Sequence, residues 1–273
     1  MTAPLPRAPT TPCSRACLVA TLVAAAVLVG AAPSRASAEG PAAPPAPAPT
    51  PLETARKENV ERLQKELRKA ASSPRAAKER EQITAALDAL IVLGGADAAR
   101  ASLEALAFDD EEMEKKVFVF VETVRDRSLV KPLAAMIEDK DTRRRFRLHA
   151  LIAHAFAAIA DASAIEPLTA LVESEEPHVV AAAADALVAF RSAPHAKRVE
   201  PVKQLLEVFE STWNLKESRR PEDRIQTDEA KGHWEVYGAS VRKALQTLSG
   251  QTQLTRPKEF RDWWNEHKKA TNW

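Results

Sequence analysis

Two ten-residue stretches, DRSLVKPLAA at 126–135 and DASAIEPLTA at 161–170, lie 35 residues apart and share five identities. The shared pairs are Asp126/Asp161, Ser128/Ser163, Pro132/Pro167, Leu133/Leu168 and Ala135/Ala170, and Val130/Ile165 is conservative. A weaker copy follows at Arg198–Val202, with Pro201 in the proline place, and an earlier one at 95–106 has Ala101 there. Each copy leads into a second apolar phrase, as in Ala155–Ile159 and Ala186–Phe190. A spacing of this size suits a two-helix unit with short turns, and one such unit cannot bury its apolar face alone. Stacked units can, which makes an α-solenoid of antiparallel helix pairs the expected fold.

Composition agrees. The chain has 7 glycines in 273 residues, none between Gly95 and Gly232, against an average usage of about 7%. So long a stretch without glycine leaves little room for hairpins or glycine-rich phosphate loops. The chemistry of the repeat is structural. The Asp caps the next helix. The Pro needs no N–H partner in a first turn. The alanines of 181–189 let neighbouring helices approach closely.

These residues resemble the short HEAT-like repeats of the phycobilisome-lyase type. They are Asp161-Ala-Ser-Ala-Ile165-Glu-Pro167-Leu168, Glu176-Pro177-His178-Val179 and Ala182-Ala183-Ala184-Asp185-Ala186-Leu187. The resemblance spans about 80–213 and implies an interaction scaffold with a curved binding face. The Arg that such repeats often carry early in the second helix is replaced here by Val180 and, one unit earlier, His149. Some members of that branch attach tetrapyrroles, but no residue here points to a cofactor. The C-terminal phrase Leu245-x-x-Leu248-Ser249-Gly250 with Phe260-x-x-Trp263-Trp264 is similar to the terminal module of some secreted bacterial HEAT-repeat proteins.

The chain begins with a polar stretch holding Arg7 and Arg15, an apolar run at 18–32 and Ala36-Ser37-Ala38. This is the layout of a signal peptide cleaved after Ala38, so a periplasmic or secreted protein is expected. The apolar run is short of the roughly 20 residues of a spanning helix, although retention as an anchor is the rival reading. Cys13 and Cys17 both fall in this leader, as do three arginines and no acid. The remainder has 36 basic and 38 acidic residues, which argues against general nucleic-acid binding. Residues 39–51 form a Pro/Ala-rich spacer. Residues 52–73 read as an amphipathic capping helix with Val60, Leu63, Leu67 and Ala70 on one face, or as a dimerisation helix. Glu58–Arg62 and Glu61–Lys65 are its expected i,i+4 pairs. Ser73-Pro74 marks the next start, with the repeats at 74–215. A polar loop is expected over 216–232, then the last helix of the array and a Trp-rich cap over 233–273.

No HExxH, GxSxG or cysteine nucleophile occurs, and no metal site is expected: His149 and His154 are poorly placed as co-ligands on a helix. The acidic run Asp109–Glu112 suits a helix N-terminus. The concentrated basic patch is Arg143, Arg144, Arg145 and Arg147, at the start of a helix where positive charge is mildly unfavourable. Either an acidic protein or anionic envelope polymer docks there, or it is a solvated face paired with Glu138, Asp139 and Asp141. Trp263 and Trp264 either seal the end of the array, with Trp263 the more buried, or form a platform for sugar or peptide. The expected function is non-catalytic protein binding through the helical surface. The rivals are a carbohydrate- or peptidoglycan-binding module and a non-catalytic subunit of an envelope enzyme.

Overall fold

Asp126 and Asp161 do the same local work. Each carboxylate accepts a hydrogen bond from the backbone N–H two residues on, at Ser128 (2.8 Å) and Ser163 (2.9 Å). Each opens a short 3-10 turn that runs straight into a helix, and Pro132 and Pro167 then fall in the first turn of that helix. A computed structural model describes residues 50–71, 80–142, 144–218, 220, 224–271 and 273. The leader, most of the spacer, Ser73-Pro74 and Arg143 lie outside the described residues.

The described residues belong to one compact unit within 48–273. They are all-α, with no strand. The helices are α1 (Pro51–Ala71), α2 (Arg80–Leu93), α3 (Gly95–Ser102), α4 (Glu111–Val124), α5 (Val130–Glu138), α6 (Phe146–Ile159), α7 (Ile165–Leu171), α8 (Pro177–Leu187), α9 (His195–Lys216), α10 (Arg224–Ser249) and α11 (Pro257–His267). α1 packs on α2 and α3, α4 on α6, α6 on α8, and α8 on α10. α7 lies against α8 and α9, and α11 against α9.

One continuous apolar cluster runs from Val60 in α1 to Trp264 in α11. α8 contributes Val179, Val180 and Leu187 with Ala182, Ala183, Ala184 and Ala186, all buried. Those small side chains let α6 and α10 both approach it. α1 buries Val60, Leu63 and Leu67 as its sequence implies. Its ion pair differs from expectation, because Arg62 reaches Glu66 at 2.8 Å.

Several boundaries also differ. α10 begins at Arg224, so the second half of the expected 216–232 loop is helix. Its first buried residues, Thr227 and Ala230, are spaced for one face of that helix. Pro201 sits inside α9 and not in its first turn, because that helix starts at His195. With few glycines available, three helix ends turn on other residues: Asp109, Arg125 and Ala160 have φ of 49°, 51° and 54°. Gly250, at φ 74°, is a left-handed stop after α10.

Candidate functional site

The basic patch divides when its neighbours are in view. Arg145 and Arg147 both reach back to Glu114, on α4. Glu114 is 1% exposed. One oxygen accepts from Arg145, and the other accepts from Arg147 at 2.9 Å. Arg147 also pairs with Glu111 at 2.9 Å. Arg145 lies 3.1 Å from the Asp109 carboxylate and donates to the Leu106 carbonyl. The pairing acids are therefore Asp109, Glu111 and Glu114, not Glu138, Asp139 and Asp141. The unfavourable placement of positive charge at the start of α6 is offset by acids at the start of α4. Breaking a buried pair of this kind by removing one partner costs about 3–5 kcal/mol. Arg145 and Arg147 thus hold α6 to α4, and Arg144 is the described arginine of the patch that stays exposed without a partner.

Arg144 stands at the edge of an open groove of about 640 Å³. Phe146 and His149 from the first turns of α6 line one side, with Ile137 at the end of α5. The other side is the end of α7 and its turn into α8: Leu171, Glu173, Ser174 and Glu175. Phe146 is 40% exposed. His149 is 6% exposed, and its Nε2 has no hydrogen-bond partner. Burial pushes its pKa down, and the nearby Arg145 charge pushes the same way. The imidazole is therefore held neutral. Glu173, Glu175 and Arg144 are all exposed, so the lining of the groove carries charge of both signs.

Trp263 and Trp264 are both buried, at 9% and 6%, so Trp263 is not the more buried of the two. The reason is Trp273. Adjacent residues point to different sides of a helix, but the Trp273 ring lies edge-on to both, at 5.3 and 5.9 Å between centroids. His267 stacks on the other side of Trp263 at 5.5 Å. Arg198 adds a guanidinium 5.3 Å from the Trp273 ring and donates to the Trp273 carbonyl. Trp213 and Trp234 meet at 5.0 Å, with the Lys216 ammonium 4.3 Å from the Trp213 ring. The Trp263 and Trp264 rings are packed on protein and leave little flat surface for a sugar.

Sequence reasoning did not find Glu114, Glu173 or Glu175. The signal for Glu114 was present: it falls 35 residues before His149, on the same register as the repeat. Among the described residues, no group of three or more His, Cys, Asp or Glu gathers as metal ligands, and no helix is long and apolar enough to cross a membrane. No family model matches the chain, and no curated protein matches it.

Proposed function

We propose that this protein is an exported, non-catalytic scaffold of HEAT-like repeats that binds another protein through its helical surface. The order of packing supports the array: the second helices of successive units, α4, α6, α8 and α10, each lie against the next. A chain of nearest-neighbour contacts is how a solenoid distributes its stability. The observation that carries the binding reading is the groove between α6 and the α7–α8 turn. It exposes Phe146 and leaves Arg144 unpaired, while its neighbours Arg145 and Arg147 are taken up inside the fold. A rim arginine of this sort steers association with an acidic surface. Export rests on the leader pattern alone.

The glycan reading has less support, because Trp263 and Trp264 are covered by Trp273 and His267. The test is affinity capture from envelope extract at low salt with immobilised protein. An Arg144→Glu variant and an Arg242→Glu control, on the exposed side of α10, stand beside it. A protein retained by parent and control and lost with Arg144→Glu is the expected result. Equal retention by all three, or none by the parent, overturns docking at this groove.

A further inference from the structure

We propose that the outer face of α1 and α2 is where two copies of this chain meet, as a dimer with a two-fold axis. The dimer goes beyond the scaffold reading and does not rest on it.

α1 runs antiparallel to α2. Arg56, early in α1, donates to the Leu93 carbonyl at the end of α2, at 3.2 Å, and to the Gly94 carbonyl. Toward the other end, Glu66 and Ala70 of α1 lie beside Gln82 and Ala86 of α2. The apolar stripe of α1, Val60, Leu63 and Leu67, is spent inside the fold. The next edge of α1 carries Leu52, Ala55, Asn59 and Arg62, three or four residues apart and all exposed. The matching edge of α2 carries Ala85, Asp88 and Val92, also exposed. Leu52 is 80% exposed and Val92 is 87% exposed. Between the two edges runs a shallow groove of about 460 Å³, with Leu63, Ala89 and Leu93 along it, Arg62 on the α1 side and Asp88 and Val92 on the α2 side.

Single exposed apolar side chains need no explanation. The charges say what covers this face. Arg62 pairs with Glu66 at 2.8 Å, and Asp88 pairs with Lys116 of α4 at 2.7 Å. Arg62 and Asp88 line the groove, and Glu66 and Lys116 do not. Each side therefore holds an inner charge at the groove and an outer charge of opposite sign, and the two inner charges are themselves opposite. A half-turn about an axis through the groove exchanges the two sides. It sets Arg62 of each copy over Asp88 of the other, and Val92 of each copy over α1 of the other. The face is complementary to itself, which is what an isologous contact requires. A face of one sign would repel its own copy.

The cost of exchanging partners is small. Both existing pairs are exposed on each side, and such surface pairs contribute little on their own. A formal net charge of +1 sets up no general repulsion between copies. A helix of this length is about 30 Å long and about 10 Å across, so the two-helix face offers about 600 Å² per copy. That is the low end for a specific interface, so the dimer is weak, with dissociation in the micromolar range.

Sedimentation equilibrium of the purified protein from micromolar to millimolar concentration reads this. The parent should pass from monomer to dimer without larger species, because a two-fold contact closes on itself. Val92→Glu should weaken dimerisation about tenfold or more, because it carries an unpaired charge into the contact. Arg62→Asp and Asp88→Arg should each do the same, by setting like charges against each other at two places. An equimolar mixture of those two variants should dimerise again, because the heterodimer restores both opposite-charge contacts. All three positions are exposed, so thermal melts of dilute variants should stay close to that of the parent. Rescue in the mixture cannot come from a misfolded chain, so the mixture decides even where one melt is lowered. A parent that stays monomeric into the millimolar range overturns the dimer. A dimer that survives all three substitutions lies on another surface and overturns this one. A mixture that stays monomeric while both variants are folded overturns the two-fold pairing.

Discussion

Glu114 and His149 share a register and have opposite fates. Glu114 is a buried acid with two arginines on it; His149 is a buried base with an unpartnered nitrogen. Removing the Glu114 charge while keeping its shape leaves Arg145, with 15% of its side chain exposed, facing an amide. Glu114→Gln should therefore destabilise the fold by about 3 kcal/mol, toward the lower end of the range for a broken buried pair. Urea unfolding reads this directly, and a shift under about 1 kcal/mol would mean that the arginines find other acids, such as Asp109 and Glu111. His149 gives a pH signature instead. Its folded pKa lies below its ordinary value because burial penalises the charged form. The unfolded chain then binds the extra proton first, so this contribution is complete above about pH 6.5 and is lost as pH falls toward the depressed folded value. Denaturant midpoints measured from pH 7 down to pH 5 should fall more steeply for the parent than for His149→Leu. Parallel curves would sink the assignment.

Helix α10 carries two glycines in different surroundings. A Cβ on Gly232 meets nothing within 4 Å, whereas one on Gly238 would lie 2.8 Å from the Trp234 ring. Trp234 lies across that gap and stacks on Phe209 at 5.0 Å, which ties α10 to α9. Gly232→Ala should stabilise by about 0.5–1 kcal/mol through helix propensity. Gly238→Ala should destabilise by about 1–3 kcal/mol, because the displaced indole outweighs the same propensity gain. Thermal melts of the two variants with opposite signs would confirm the packing; two stabilised variants would place Trp234 elsewhere. At this scale much of the molecule was legible in the sequence. The capping aspartates, the apolar stripe of α1 and Gly250 act through near neighbours, and near neighbours are what a sequence displays. The start of α10 was hidden because residues 224–232 are mostly polar and bury only two side chains. The burial of both Trp263 and Trp264 was hidden because it depends on Trp273, which returns over them from beyond the end of α11. The groove was hidden for the same reason. Arg144 and Glu173 are separated by two helices, α6 and α7, and nothing in the local pattern brings them to one place.

Across the whole molecule, contacts run mostly between neighbours in sequence order. α1 meets α2 and α3 at one end, and α9 meets both α10 and α11 at the other. If these units form the proposed array, stability is a sum of unit terms and interface terms, and the ends have one interface each. Interior helices then open only when the array does, while end helices open at lower cost. The two ends are unlike, however. The α11 end is fastened by Arg261 on Glu210, by Arg198 on the Trp273 carbonyl and by the ring cluster around Trp273. The α1 end is fastened by three buried apolar side chains and by contacts such as Gln64 and Arg68 to Glu104. Native-state hydrogen exchange should therefore grade along the chain, with α6 and α8 most protected, α11 intermediate and α1 least. Trp273→Ala should pull α11 down to the level of α1 and leave α8 unchanged. Uniform protection from α1 to α11 would show a single cooperative core and rule against the array. A loss of protection in α8 on changing Trp273 would show that the ends are coupled through the middle, which nearest-neighbour stacking does not allow.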